Sequence, residues 1–264
     1  MDLLTASSHA QWLEVPGPSG ARVNCFGVRG DTVIGGFSYG IIRSSDRGYT
    51  WAWSTGALRG QEIHDIDDDP PFWFAAGNSA VFVSSDCGRS WYPCADFPVP
   101  VRIFNMTVNP RGLFVASDSG LMYSTDHGGT WRGPLEQPFY RDGTSTPWII
   151  NSLDSSLIAG VISGSGGNLL GRSRDGGVTW EYNAGVPGWG IVSLYAGEGM
   201  VLAGVKPYGV LRSSDNGTSW KLSTAIPSTF TSFSRAGGIL YAGVQYVDFW
   251  SRNEPAELFS SVVA

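Results

Sequence analysis

An eight-residue string built on one aspartate and one glycine recurs five times along this chain and closes each time on a tryptophan. The first copy is Ser44-Ser45-Asp46-Arg47-Gly48-Tyr49-Thr50-Trp51. The others run from Ser84 to Trp91, Ser124 to Trp131, Ser173 to Trp180 and Ser213 to Trp220, sharing the pattern S-x-D-x-G-x-[ST]-W. The Asp carboxylate accepts backbone N–H bonds from its own turn, and the Gly supplies a positive φ. The Ser/Thr-Trp pair opens the next strand, and the Trp brings a large apolar surface to bury. This is turn chemistry rather than reaction chemistry. The box tryptophans stand at 51, 91, 131, 180 and 220, so three steps are 40 residues and one is 49. A fixed period of this length marks a repeat architecture.

Between boxes the sequence reads as short strands. In the third unit these are Val101–Val108, Leu113–Ala116 and Leu121–Ser124, with Trp131 opening a fourth. Asn109-Pro110-Arg111-Gly112 and Asp118-Ser119-Gly120 are the breakers between them. No unit has room for a helix of ordinary length. Four antiparallel strands per unit make the blade of a β-propeller. Gln11-Trp12-Leu13-Glu14-Val15-Pro16 keeps the period, with Trp12 39 residues before Trp51. At the other end Phe230–Arg235, Ile239–Val244 and Phe249–Arg252 make three strands with no good box after them. The expectation is a single all-β domain over residues 1–264, a six-bladed β-propeller whose last blade is closed by both termini. Gln11–Val15 then supplies its fourth strand, which removes open edges; Leu258–Val263 competes for that place.

The repeats resemble the Asp-box (BNR) repeats of sialidase-like β-propellers. Five copies match closely, and their period covers nearly the whole chain. The resemblance implies the fold far more specifically than any activity, since such repeats serve hydrolases, lectins, receptors and assembly factors.

Length and composition agree with one propeller domain: 264 residues, with 36 glycines for a chain of many turns. A net charge of −6 argues against nucleic acid, which favours a basic face. Three cysteines, Cys25, Cys87 and Cys94, form no disulfide framework, and no base or helix start is visible to activate them. The opening Met1-Asp2-Leu3-Leu4-Thr5 lacks the basic region of a signal peptide, and no apolar run is long enough for a membrane span. A soluble, cytoplasmic protein without a membrane or nucleic-acid partner and without a cofactor is the expectation.

Antiparallel geometry sorts the loops. Boxes and 1–2 turns crowd one face; 2–3 turns and the 4–1 links between blades lie on the other, and the resemblance implies that ligands use the latter. Tyr39 is on the first 2–3 turn. The acidic run from Glu62 to Asp69 has the look of a hard-cation site, but strand alternation divides it between two faces, so a turn role is expected for Asp67, Asp68 and Asp69 and no metal site is assigned. His64, with Asp65, starts an inner strand. Arg102, at the head of the next with Asn105, can bind a carboxylate or phosphate bidentately, or pair with Asp65 or Asp118. Both insertions behind the 49-residue step, 132–148 and 163–168, fall in one blade on the non-box face, where long loops concentrate function. Trp148, Trp189 and Phe230 are read as equivalent positions near the axis, with Tyr208 and Tyr246 on later 2–3 turns. These aromatics either line a pocket or plug the pore.

The ligand-binding candidates are therefore Tyr39, Asn105, Trp148, Trp189, Tyr208, Phe230 and Tyr246; the catalytic candidates are His64 and Arg102. A sialidase is disfavoured, because Val101-Arg102-Ile103-Phe104 lacks the proline of the family's F/Y-R-I-P motif and further inner arginines are missing. A glycosidase needs two facing carboxylates, and Glu62, Asp65, Asp96, Asp118, Glu136, Asp142 and Asp248 offer no pair by pattern. The leading expectation is one central aromatic pocket for a small organic or sugar-like ligand, in a binding module or a cyclase/isomerase-type enzyme that works by positioning. A glycoside hydrolase and a protein-interaction or assembly scaffold are the alternatives.

Overall fold

The computed structural model describes residues 23–58, 60–135, 146–162, 168–186, 190–197, 199–206, 209–224, 228–236, 239–246 and 257–262. These residues form strands and turns without a helix. The first sheet holds β1 (Val23–Arg29), β2 (Thr32–Phe37), β3 (Gly40–Ser44) and β4 (Ala52–Trp53). A short β5 (Thr55–Gly56) precedes β6 (Asp65–Asp69), β7 (Phe72–Ala76), β8 (Val81–Ser84) and β9 (Ser90–Pro93) of the second. The third has β10 (Ile103–Asn109), β11 (Gly112–Ser117) and β12 (Gly120–Ser124). The fourth runs through β13 (Thr146–Leu153), β14 (Ser156–Ile162), β15 (Asn168–Ser173) and β16 (Glu181–Val186). The fifth runs through β17 (Gly190–Gly197), β18 (Met200–Lys206), β19 (Gly209–Ser213) and β20 (Lys221–Thr224). The sixth has β21 (Ser228–Ala236), β22 (Ile239–Tyr246) and β23 (Glu257–Val262).

Every sheet is an antiparallel meander, to which the second adds the short β5, with its boxes, where present, at the 3–4 turn. Each box closes on itself. In the third, the Ser124 hydroxyl donates to Asp126 Oδ1 at 2.7 Å and accepts Gly128 N–H at 2.8 Å, while Asp126 accepts Thr130 N–H at 2.8 Å and the Thr130 hydroxyl at 2.7 Å. The same bonds recur around Asp46, Asp86, Asp175 and Asp215. Gly128 has φ +84°, and a side chain there would strike Cys94 Sγ. The residue before the glycine is left-handed too: Arg47, Cys87, His127 and Asn216 all have φ near 60°.

Hydrophobic cores lie between successive sheets, because each strand alternates its side chains between two neighbours. Trp73 of β7 packs with Ile34, Ile41 and Trp91 toward the first sheet; the next residue, Phe74, packs with Met106, Leu113 and Trp131 toward the third. Inner strands are neighbours in the order β1, β6, β10, β13, β17, β21.

Three expectations about strands are revised. The strand beside β22 is Glu257–Val262, not Phe249–Arg252, which lies outside the described residues. The fourth strand of the third unit shrinks to a single bridge between Tyr123 and Arg132, since Gly133-Pro134 follows and proline has no N–H to extend the ladder. The first 4–1 link after a box is not plain loop: β5 pairs parallel with β9. Gly56 makes this possible with φ +103°, where any Cβ would fall 2.2 Å from Trp91 O. Gln11–Val15 lies outside the described residues.

Candidate functional site

At the non-box end of the inner strands the register slips by one residue. The slip falls between Val23 and Cys25, Ile103 and Asn105, Pro147 and Ile149, Ile191 and Ser193, and Phe230 and Ser232. The bulged residues are thus Asn24, Phe104, Trp148, Val192 and Thr231. His64, whose N–H bonds to Ala76 O just ahead of the Asp65–Ala76 pair, holds the matching place in the second sheet. A bulge re-aims the side chain it carries, and five of the six sheets place one at the same level of the inner strand. The register corrects the expected equivalence of aromatics: Trp148 corresponds to Val192 and Thr231, not to Trp189 and Phe230. A one-residue bulge cannot be seen in spacing alone.

His64 is half-buried, and its Nε2–H donates to Gly77 O at 2.8 Å. Burial pushes its pKa down, opposed by that carbonyl and by Glu62, with the charge of Arg102 adding to the depression. A neutral ring tied to its own 2–3 turn results. Arg102 and Asp118 fasten the start of the third sheet through backbone: Arg102 N–H donates to Asp118 Oδ1 at 2.8 Å, and Asp118 N–H to Arg102 O at 3.0 Å. The Arg102 residue itself is exposed, and no ion pair joins its guanidinium to a carboxylate among the described residues.

Asn105 is bound on both sides. Its Nδ2 donates to Asp65 Oδ2 at 2.6 Å and its Oδ1 accepts Ile150 N–H at 2.7 Å, which links β6, β10 and β13. Asp65 also accepts Met106 N–H at 2.7 Å, and Asp67 accepts Val108 N–H at 2.8 Å. Burial, with the neighbouring carboxylate, raises Asp65 to about 7 and Asp67 to about 6. Asp68 points the other way and pairs with Arg29 at 3.1 Å, while Asp69 lies 3.4 Å from His127 Nε2. Alternation therefore divides the acidic run between the first and third sheets. Burial raises the thiols of Cys25 and Cys94, the latter to about 12.

Tyr39, 64% exposed on the first 2–3 turn, borders a groove of about 520 Å3 between the first sheet and the β5 segment. Trp53, 53% exposed, lines it too, with Ile41, Gly56 and Leu58. Thr55 N–H donates to Arg89 O and Ala57 N–H to Trp91 O, so the β5 detour fixes one side of the groove. A second groove of about 340 Å3 follows the proline-rich link Asp96–Val101 beside Ser79. Neither is lined by His64, Arg102 or Asn105. The signal for the Tyr39 groove was absent from the sequence, because it arises from the pairing of β5 with a distant edge. Trp148, Phe230 and Tyr246 lie in described strands, but their side chains, and all of Trp189 and Tyr208, lie outside the described residues.

The BNR/Asp-box repeat profile matches residues 122–132, which span the third box. No curated protein sequence matches the chain. Among solved structures, it is similar to YCF48 bound to D1 peptide, with a TM-score of 0.63 and 16% identity over 89% of this chain and 79% of that one. The extracellular domain of the putative hybrid two-component system BT4673 from B. thetaiotaomicron gives a TM-score of 0.67 and 17% identity, over 92% of this chain and 33% of that chain. The chain thus spans about a third of that domain's length. The computationally designed Ika8 protein gives 0.63 at 11% identity, over 84% and 68%. At such identities the likeness shows the fold. The chain is a carrier of BNR/Asp-box repeats on a β-propeller-like fold.

Proposed function

We propose that the chain is a binding module that seats an extended peptide segment of a partner protein in the groove lined by Tyr39 and Trp53. The observation that carries this is the open apolar channel of about 520 Å3 flanked by two exposed aromatic side chains. Two exposed aromatic side chains beside one groove suit an extended chain, which offers side chains to the rings and backbone groups to the Tyr hydroxyl and Trp N–H. The likeness to YCF48, solved with the D1 peptide, supports a peptide as ligand class. A short-peptide display library panned on the whole protein tests it. Enrichment of apolar-centred sequences that is lost in Trp53→Ala supports the reading; no enrichment, or enrichment indifferent to Trp53→Ala, removes it.

The same reading includes a ring of six sheets closed on itself. In the third sheet Met106 and Val108 of β10 pack against the second sheet. Their register equivalents in the first sheet are Phe26 and Val28, which are 56% and 64% exposed. A face built to the same pattern needs the same cover, and the sheet left to supply it is the last.

A second reading keeps a small organic or sugar-like ligand at the axis, with Trp148, Trp189, Tyr208, Phe230 and Tyr246 around it. What favours it is that His64 and Trp148 share the bulge position. Ligand screening against Trp148→Ala, with turnover followed for cyclase or isomerase chemistry, separates it from the peptide groove.

A further inference from the structure

The box face carries a cavity that the peptide reading does not use. It measures about 250 Å3 and lies where the 1–2 turns of the second and third sheets meet the third box. Phe74, Val108 and Leu113 give it an apolar wall; Asp69, Asn109, Arg111 and His127 give it polar groups. Phe74 and Leu113 are buried core residues, so that wall is fixed.

Two opposite charges line this one cavity without pairing to each other. The Arg111 guanidinium donates to Ser155 O at 3.3 Å and Arg174 O at 3.1 Å, both neutral carbonyls. No carboxylate answers it among the described residues. Among the described residues Asp69 meets the His127 ring at 3.4 Å, and that ring is held against Phe72 at 4.6 Å and parallel to Phe74 at 6.4 Å. Beside Arg111 sits Asn109, 7% exposed, whose Oδ1 accepts Arg111 N–H at 2.8 Å. Its Nδ2 has no hydrogen-bond partner among the described residues. That Nδ2 is closed off from the cavity, so Asn109 serves to hold the Arg111 backbone and its amide nitrogen offers no donor to a ligand.

We propose that this cavity binds a free α-amino acid with an apolar side chain. Its carboxylate meets the Arg111 guanidinium, its ammonium meets Asp69, and its side chain lies on Phe74 and Leu113. A ligand with one charge leaves the other protein charge unanswered, whereas a zwitterion answers both. The volume is below the roughly 300–1,000 Å3 of drug-sized sites, which restricts the ligand to a small molecule of this kind.

Calorimetric titration of the whole protein with L-leucine tests the proposal. Saturable binding is expected, with N-acetyl-L-leucine and L-leucinamide each about tenfold weaker or worse, a difference of about 1.4 kcal/mol. Asp69→Asn is expected to bind L-leucine and N-acetyl-L-leucine alike, and Arg111→Gln to bind L-leucine and L-leucinamide alike. A role in folding alone does not produce that loss of discrimination. The Asp69 variant leaves the Arg111 carbonyl bonds in place, so it remains informative if Arg111→Gln melts early. Absence of L-leucine binding to the folded wild type, equal binding of the derivatives, or discrimination that survives Asp69→Asn overturns the proposal.

Discussion

The carboxylate of Asp65 accepts the backbone N–H of Met106 at 2.7 Å, from one sheet to the free edge of the next. Inner strands leave such N–H groups without a ladder partner, and a polar side chain from the preceding sheet supplies one. Burial raises Asp65 from 3.8 to about 7. The folded chain therefore holds this proton more tightly than the unfolded chain, so the wild type loses stability as pH rises from about 4 to about 7. Asp65→Asn carries no such titration. Its stability relative to wild type should rise between pH 5 and pH 8 by an amount on the order of 2 kcal/mol, read as a higher relative melting temperature. A pH-independent difference by thermal denaturation counts against a protonated Asp65.

The box carboxylates titrate in the opposite sense. Thr50 N–H and hydroxyl bonds hold Asp46 at about 2, and the Thr130 and Ser124 bonds do the same for Asp126. Their contribution is present above the unfolded value of 3.8 and is lost as pH falls toward 2. Acid unfolding should therefore begin below about pH 4, and Ser124→Ala, which removes a buried hydroxyl from the third box, should cost about 1–3 kcal/mol. Chemical denaturation at neutral pH measures it.

Trp131 and Trp53 should separate stability from binding. Trp131 is 8% exposed and packs on Phe97 at 4.5 Å, so Trp131→Ala should cost about 3–5 kcal/mol. Trp53→Ala, on the groove wall, should stay within about 1 kcal/mol of wild type while losing selected peptides. Equal losses of stability in urea melts refute the groove as an open site.

Phe26→Ala tests ring closure. With the last sheet seated on β1 the loss should be about 3 kcal/mol, as for a core aromatic. With that face open to water it should be within about 0.5 kcal/mol. Urea melts of Phe26→Ala and Val28→Ala distinguish the two.

The box was legible because its chemistry is local: Ser44, Asp46, Gly48 and Thr50 bond within one turn, so spacing alone places it between two strands. The period followed, and with it the all-β fold, the succession of sheets and the face on which each loop emerges. His64 and Asn105 were found as polar residues heading inner strands, yet their neighbours were hidden. Asn105 sits between Asp65 and Ile150, 40 and 45 residues away.

The amino-acid sequence by itself determined the repeat, its turns and the alternation that divides the acidic run. Only the tertiary structure decided which sheet each alternating face meets, where a one-residue bulge shifts Trp148 out of line with Phe230, and that Asp69 and Arg111 share a cavity. The physical reason is range. Turn bonds and strand periods are set by residues a few positions apart, whereas edge pairing, bulges and cavities depend on how whole sheets land on one another.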